Sequence, residues 1–251
     1  MSLFSRSQVR RPRTEAGTRI YAIGDVHGRY DLLVSLRAMI GDHLARANPV
    51  PERVKIILLG DIIDRGPSSR ECLNAIRREI ERPDTKIETI LLRGNHEHAI
   101  LQATHVNPLA AEFWLRHGGL ATLESFGLDP PRPGEDAIDF AERLREGVPE
   151  TIWTFLDAAP LSHADGDYLF VHAGVRPNVS FQAQEDDDLL SIRDAFTGST
   201  DWHGAMIVHG HSIVDFVELR PNRIACDTGA WRTNRLSCVC LDGELQTVLS
   251  T

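Results

Sequence analysis

The stretch Ile56-Ile57-Leu58-Leu59-Gly60-Asp61-Ile62-Ile63-Asp64-Arg65-Gly66 limits most severely what the chain can become. A fully apolar run closed by a glycine reads as a buried strand ending in a turn. Two carboxylates and a guanidinium then emerge together at the carboxyl end of a core strand, where α/β sheets place their ligand sites. The glycine before Asp61 lets the backbone crowd against a ligand, which suits metal binding.

The same grammar recurs on either side. Arg19-Ile20-Tyr21-Ala22-Ile23 runs into Gly24-Asp25-Val26-His27-Gly28, and a helix with Leu32, Leu36, Met39 and Ile40 on one face follows. The helix after the central turn carries Cys72, Leu73, Ile76 and Ile80 and stops before Pro83. A third strand over residues 87–92 enters Arg93-Gly94-Asn95-His96-Glu97. Strand, turn and helix thus repeat three times, each turn holding metal-type or acid–base residues. Residues 97–158 read as a helical insertion that caps or flanks the sheet, broken by a proline-rich loop at 129–134. Strands return over residues 168–171, 205–208, 216–219, 223–226, 237–241 and 244–249, the last two joined by an Asp242-Gly243 hairpin turn.

Composition sets the boundaries of function. The length of 251 residues suits one domain over 18–251, preceded by a disordered basic tail at 1–17. Arg6, Arg10, Arg11 and Arg13 stand there without the hydrophobic stretch of a secretory signal. A net charge of −9 argues against a nucleic-acid surface, and no apolar run reaches the length of a membrane span. Four cysteines in a chain of this length make no disulfide framework, and Cys238 and Cys240 share one strand face. Buried reduced thiols in a cytoplasmic protein are the expectation.

Five turns at strand ends present Asp25 with His27, Asp61, Asn95, His172 and His211. These are oxygen and imidazole donors without thiolate, a set that favours manganese, iron or zinc over a structural zinc cage. Asp25 and His27 are two apart, so one tight turn aims both at one ion. Asp61 lies on the middle strand of three and is the natural bridge to a second ion, completed by Asn95, His172 and His211. Each residue alone has a plainer explanation as a turn former or a core histidine; five such turns together do not.

The motifs Gly24-Asp25-Val26-His27-Gly28, Gly60-Asp61-Ile62-Ile63-Asp64-Arg65-Gly66 and Gly94-Asn95-His96-Glu97 resemble the three signatures of the phosphoprotein phosphatases, the metallophosphoesterase family that includes the bacterial and phage lambda-type enzymes. Val171-His172-Ala173-Gly174 and Gly210-His211-Ser212 are similar to its later motifs in order and spacing. The resemblance implies an α/β fold, a β-sandwich flanked by helices, with two metal ions at strand ends and hydrolysis by metal-bridging hydroxide. It implies that Asp25 and His27 hold the first metal, that Asp61 bridges, and that Asn95, His172 and His211 hold the second. His96 would protonate the leaving oxygen with Asp64 holding its other nitrogen, as a general acid requires. Arg65 and Arg193 would grip the substrate phosphate, with Asn95 alongside.

The family pattern selects His211 over His209 as the last ligand. Arg93 and Asp227-Thr228-Gly229 read as structural, Glu185 to Asp188 as a solvated helix start, and the four tryptophans as packing. Ile213 stands where nucleases of the wider superfamily carry a second histidine. Asp64 favours a monoester phosphatase over symmetrical diadenosine tetraphosphate hydrolases, which typically lack it. The expected activity is therefore that of a protein serine/threonine phosphatase. A dinucleoside polyphosphate or small-molecule phosphatase is the alternative, and an inactive phospho-binding module the remoter one.

Overall fold

The computed structural model describes residues 11–251 apart from Pro83. In chain order its strands are β1 (Thr18–Ile23), β2 (Arg53–Leu58), β3 (Ile87–Leu91), β4 (Ser162–Asp165), β5 (Tyr168–Val171), β6 (Met206–His209), β7 (Glu218–Leu219), β8 (Arg223–Ala225), β9 (Ser237–Asp242) and β10 (Leu245–Ser250). The helices are α1 (Tyr30–Ala45), α2 (Ser69–Glu81), α3 (Asn95–Leu101), α4 (Ala110–Trp114), α5 (Leu120–Phe126), α6 (Ala137–Gly147), α7 (Glu150–Asp157), α8 (Asp186–Ser191), α9 (Asp194–Thr197) and α10 (Ala230–Thr233). Wider π-helical turns at Gln102–Val106 and Leu115–Gly119 link α3 to α5.

Two five-stranded mixed sheets form a sandwich. The first has the order β10-β9-β1-β2-β3 and the second β4-β5-β6-β8-β7. Each is parallel at its centre, β1 with β2 and β3, and β5 with β6 and β8. The period of two along each strand divides the core into layers. Ile20, Ala22 and Ile57 face Tyr168, Phe170, Met206 and Val208 between the sheets. Tyr21, Ile23, Ile56 and Leu58 point outward against helices that supply Leu36, Cys72, Ile76 and Ile100. Leu169, Val171 and Ile207 pack on the outer side of the second sheet against Phe196.

The expected sandwich is present, and several local expectations are refined. On α1 the buried stripe is Leu33, Leu36 and Ile40, with Leu32 and Met39 only half-buried beside it. β4 has no counterpart in the sequence reading: Ser-His-Ala-Asp lacks an apolar alternation, and only pairing with β5 makes it a strand. The tail expected over residues 1–17 falls partly on residues that the structure describes. Residues 1–10 lie outside the described residues, but from Arg13 onward the chain is tied down. Arg13 N–H donates to Asp167, the Thr14 hydroxyl donates to Thr18 C=O, and Glu15 N–H donates to Asp165 Oδ1. All four cysteines are free and buried, with Cys238 and Cys240 on the helix side of the first sheet. Among the described residues, no helix is long and apolar enough to cross a membrane.

Candidate metal centre and active site

The parallel strands of both sheets end at the same edge of the sandwich. β1, β2 and β3 deliver residues 24–28, 60–66 and 94–97, and β5 and β6 deliver His172 and His211 from across the interface. The turns are tight. Of seven non-glycine residues with positive φ among the described residues, five are His27, Asp61, Asp64, Arg65 and His211. Each such conformation costs about 1–3 kcal/mol and persists where the surroundings enforce it. The adjoining glycines leave no room for a side chain: a Cβ on Gly94 would lie 2.2 Å from Asp61 Oδ1, and one on Gly210 2.1 Å from Asp25 Oδ1.

Glu97 enforces the central turn. Its fully buried carboxylate accepts N–H from Asp61 at 2.8 Å, Ile62 at 2.7 Å, Ile63 at 3.2 Å and Gly94 at 2.9 Å. No such role was foreseen for it, since the motif names the residue but not the chain it folds back upon.

Asp61 stands at the centre. Its Oδ1 accepts His96 N–H at 3.0 Å and lies 3.4 Å from His172 Nε2, while Oδ2 lies 3.5 Å from His27 Nε2. Ligand-type atoms of His27, Asp61 and His96 gather within 4.8 Å of one another, as do those of Asp61, His172 and His211. Asp61 is common to both groups, and the first contains His96 and not Asp25. Asn95 Oδ1 lies 2.9 Å from both His172 Nε2 and His211 Nδ1. Asp25 is buried and accepts His211 N–H at 3.1 Å, which joins the first turn to the last.

The donor set fits divalent cations. His27 Nδ1–H donates to Ile63 C=O and His172 Nδ1–H to Leu59 C=O, both at 2.8 Å, so each Nε2 carries a lone pair facing Asp61. Burial pushes His27 down to about 3 and His211 down to about 3, and lowers His172, so all three rings are neutral, as metal ligands are. His211 Nε2 is buried without a hydrogen-bond partner. Asp25 and Asp227 are both buried and both raised, by desolvation first and then by neighbouring carboxylates; Asp227 reaches about 6. Acceptors and lone pairs converge here with too few donors to satisfy them, which a cation remedies.

Beside this cluster, His96 Nδ1–H donates to Asp64 Oδ2 at 2.6 Å with both side chains buried. Desolvation lowers the His96 pKa, but the Asp61 and Asp64 carboxylates outweigh it and the net shift is upward. Arg65 places one nitrogen 2.9 Å from His27 Nε2 and another 2.9 Å from His96 Nε2, with its guanidinium over the Trp231 ring at 5.4 Å. Arg193 is exposed before α9, near enough for its charge to lower His172 and His211.

Neighbouring residues sort as follows. His209 is buried, donates through Nδ1 to Gly210 C=O at 3.0 Å and meets Phe196 edge-on, away from Asn95. Arg93 is a buttress: its N–H donates to Pro160 C=O at 2.9 Å and its guanidinium holds Asp157. Asp186 to Asp188 open α8, and Asp188 is not solvated as expected but buried against Arg176. Trp114 and Trp153 pack in the core as expected, Trp202 and Trp231 are exposed instead, and the Trp114 indole N–H also donates to Asp64 Oδ2 at 2.9 Å.

Residues 18–230 match the family model of calcineurin-like phosphoesterases. The serine/threonine-protein phosphatase 2 of Salmonella typhimurium is 27% identical over 230 residues, covering 87% of this chain and 90% of its own. An asymmetrical bis(5'-nucleosyl)-tetraphosphatase PrpE from a Geobacillus species is 26% identical, covering 84% and 85%. In three dimensions the fold is similar to that of a cold-active protein tyrosine phosphatase, with a TM-score of 0.59 at 16% identity over 95% of this chain and 81% of the other.

Proposed function

The chain belongs to the calcineurin-like phosphoesterase family, which makes it a hydrolase of phosphate esters, and on that premise we propose a two-metal phosphomonoesterase acting on phosphoserine and phosphothreonine in proteins. Asp25, His27 and Asp61 would hold the first ion, and Asp61, Asn95, His172 and His211 the second. Manganese is the first ion to test, with iron and zinc next, because the donors are oxygen and imidazole. Two divalent ions supply an activated water and neutralise charge developing on the phosphoryl oxygens.

The protein's own residues would do the rest. Arg65 and Arg193, with Asn95, bind the phosphate oxygens and orient the ester. Here Arg65 donates to His96 Nε2, so once Arg65 turns to the phosphate His96 gives its Nε2 proton to the departing oxygen, and Asp64 on Nδ1 holds the ring in place and favours its charged form. The observation that carries the reading is this buried Asp64–His96 pair at 2.6 Å. A serine or threonine alkoxide is a poor leaving group and needs a proton as it departs, whereas a nucleotide phosphate leaves without one.

A second reading, hydrolysis of dinucleoside polyphosphates, draws support from the half-exposed Trp231 beside Arg65, an aromatic face on which a base could stack. The free, buried cysteines support a reducing, cytoplasmic location, and the net charge of −9 supports partners other than nucleic acid. Turnover of the manganese-loaded protein on a phosphoserine peptide and on diadenosine tetraphosphate tests the assignment. A higher kcat/KM on the peptide is expected; preference for the dinucleotide would replace the first reading with the second.

A further inference from the structure

The helical insertion has a task that its sequence does not announce. Asp64 is fully buried, and the insertion surrounds its carboxylate. Oδ2 accepts His96 Nδ1–H at 2.6 Å and Trp114 Nε1–H at 2.9 Å, and Oδ1 accepts the Thr122 hydroxyl at 2.6 Å. An indole N–H can only donate, so its contact requires Oδ2 to be an unprotonated acceptor. The Thr122 hydroxyl has one proton, spent on Oδ1, and its lone pairs receive the Asp64 N–H at 3.0 Å and meet Ser69 Oγ at 3.0 Å.

Trp114 directly precedes the π-helical turn Leu115–Gly119 and Thr122 lies in the first turn of α5 after it, and both glycines of that turn are spent on the same task. A Cβ on Gly119 would lie 2.5 Å from the Trp114 ring, so the indole rests directly on the backbone. Gly118, at φ 117°, accepts Arg65 N–H through its C=O at 3.1 Å and leaves room for the Arg65 side chain, which a Cβ would approach to 2.7 Å. The turn therefore grips Asp64 by both oxygens and its N–H, and Arg65 by its backbone.

We propose that Trp114 and Thr122 are positioning residues for leaving-group protonation: they fix the Asp64 carboxylate as an acceptor in the one orientation that aligns His96. This rests on His96 being the general acid. Neither residue touches substrate, and their removal should be felt only where a proton must be delivered.

The test uses the full-length, manganese-loaded protein with Trp114→Phe, Thr122→Val, Thr122→Ser and His96→Asn variants. Steady-state kcat and KM are measured on phenyl phosphate, whose leaving group needs a proton, and on 2,4-dinitrophenyl phosphate, whose leaving group does not. For Trp114→Phe and Thr122→Val, kcat on phenyl phosphate should fall about 10-fold, part of the 10²–10⁴-fold that a positioned acid contributes. KM and the dinitrophenyl rate should stay near wild type, and Thr122→Ser, which keeps the hydroxyl, should restore the phenyl rate. Equal losses on both esters, or none on either, while His96→Asn discriminates between them, would overturn the positioning role alone. If His96→Asn itself fails to discriminate, the acid assignment falls and this inference with it. The isosteric Thr122→Val decides the matter if Trp114→Phe does not fold.

Discussion

Replacing Glu97 by glutamine is the sharpest test of how the site is held. Each Glu97 oxygen accepts two backbone N–H groups, Oε2 from Asp61 and Gly94 and Oε1 from Ile62 and Ile63. Glutamine keeps the shape but turns one oxygen into an NH2 that faces two N–H donors with nothing to accept them. Bonds to a charged group contribute about 1.5–3 kcal/mol each, so losing two removes roughly 3–6 kcal/mol. That is a large share of the about 5–15 kcal/mol that holds a domain together. At about 2–4 °C per kcal/mol for a chain of this size, Tm should fall by roughly 6–24 °C. Burial and the neighbouring Asp61 push the Glu97 carboxyl up to about 7, yet a proton on either oxygen would find no acceptor among those four donors. The carboxylate is therefore the form that fits. Calorimetric or circular-dichroism melting of chelated wild type and variant at pH 8 checks this. A Tm change within about 2 °C would mean that Glu97 is neutral in the fold and that the four-donor cage is not what fixes Asp61.

Three further outcomes are expected. Asp61→Asn should lower bound metal, read by elemental analysis, and reduce activity by more than the about 10–100-fold typical of losing an outer partner of a ligand. Gly118→Ala forces a Cβ against Arg65 at a positive φ. It should destabilise by about 1–3 kcal/mol, seen as a lower urea midpoint, and raise KM for phosphate esters. Asp188 is held below the usual carboxylate range chiefly by the Arg176 guanidinium, against the opposing effect of desolvation. A depressed folded pKa contributes stability above the unfolded value of about 3.9 and loses it as pH falls through the folded value. Arg176→Ala should thus melt about 2–4 °C below wild type at pH 7, and the two curves should converge below about pH 4; a constant gap would show that the ion pair is not its source.

The candidate site residues are legible because their chemistry is spelled out beside strand ends. Asp25, His27, Asp61, Asn95, His172 and His211 read as donors in sequence, and the fold brings them to one edge. The apolar run Ile20-Tyr21-Ala22-Ile23 likewise announces a strand, which the fold covers on both faces. What escaped was support that acts over distance. Trp114 and Thr122 lie 50 and 58 residues from Asp64 in an amphipathic helical stretch, where an indole and a hydroxyl look like packing. Glu97 serves backbone N–H groups, which no side-chain pattern records. The order of residues 13–17 has the same origin, since Thr14 is held by a strand-end contact to Gly243, 229 residues away.

Because the ligands come from both sheets, the centre spans the seam of the sandwich. Asp61 and Asn95 ride on one sheet and His172 and His211 on the other, so the spacing of these four side chains is also a measure of the sheets' registry. A cation seated there would act as a rivet through two plates that meet through apolar side chains such as Ile20, Ile57, Phe170 and Val208 and through the Lys55–Asp165 ion pair. Free energy of binding at that edge is free energy against sliding or parting of the sheets. Were a cation held there, loading with metal and locking of the two halves would be one event.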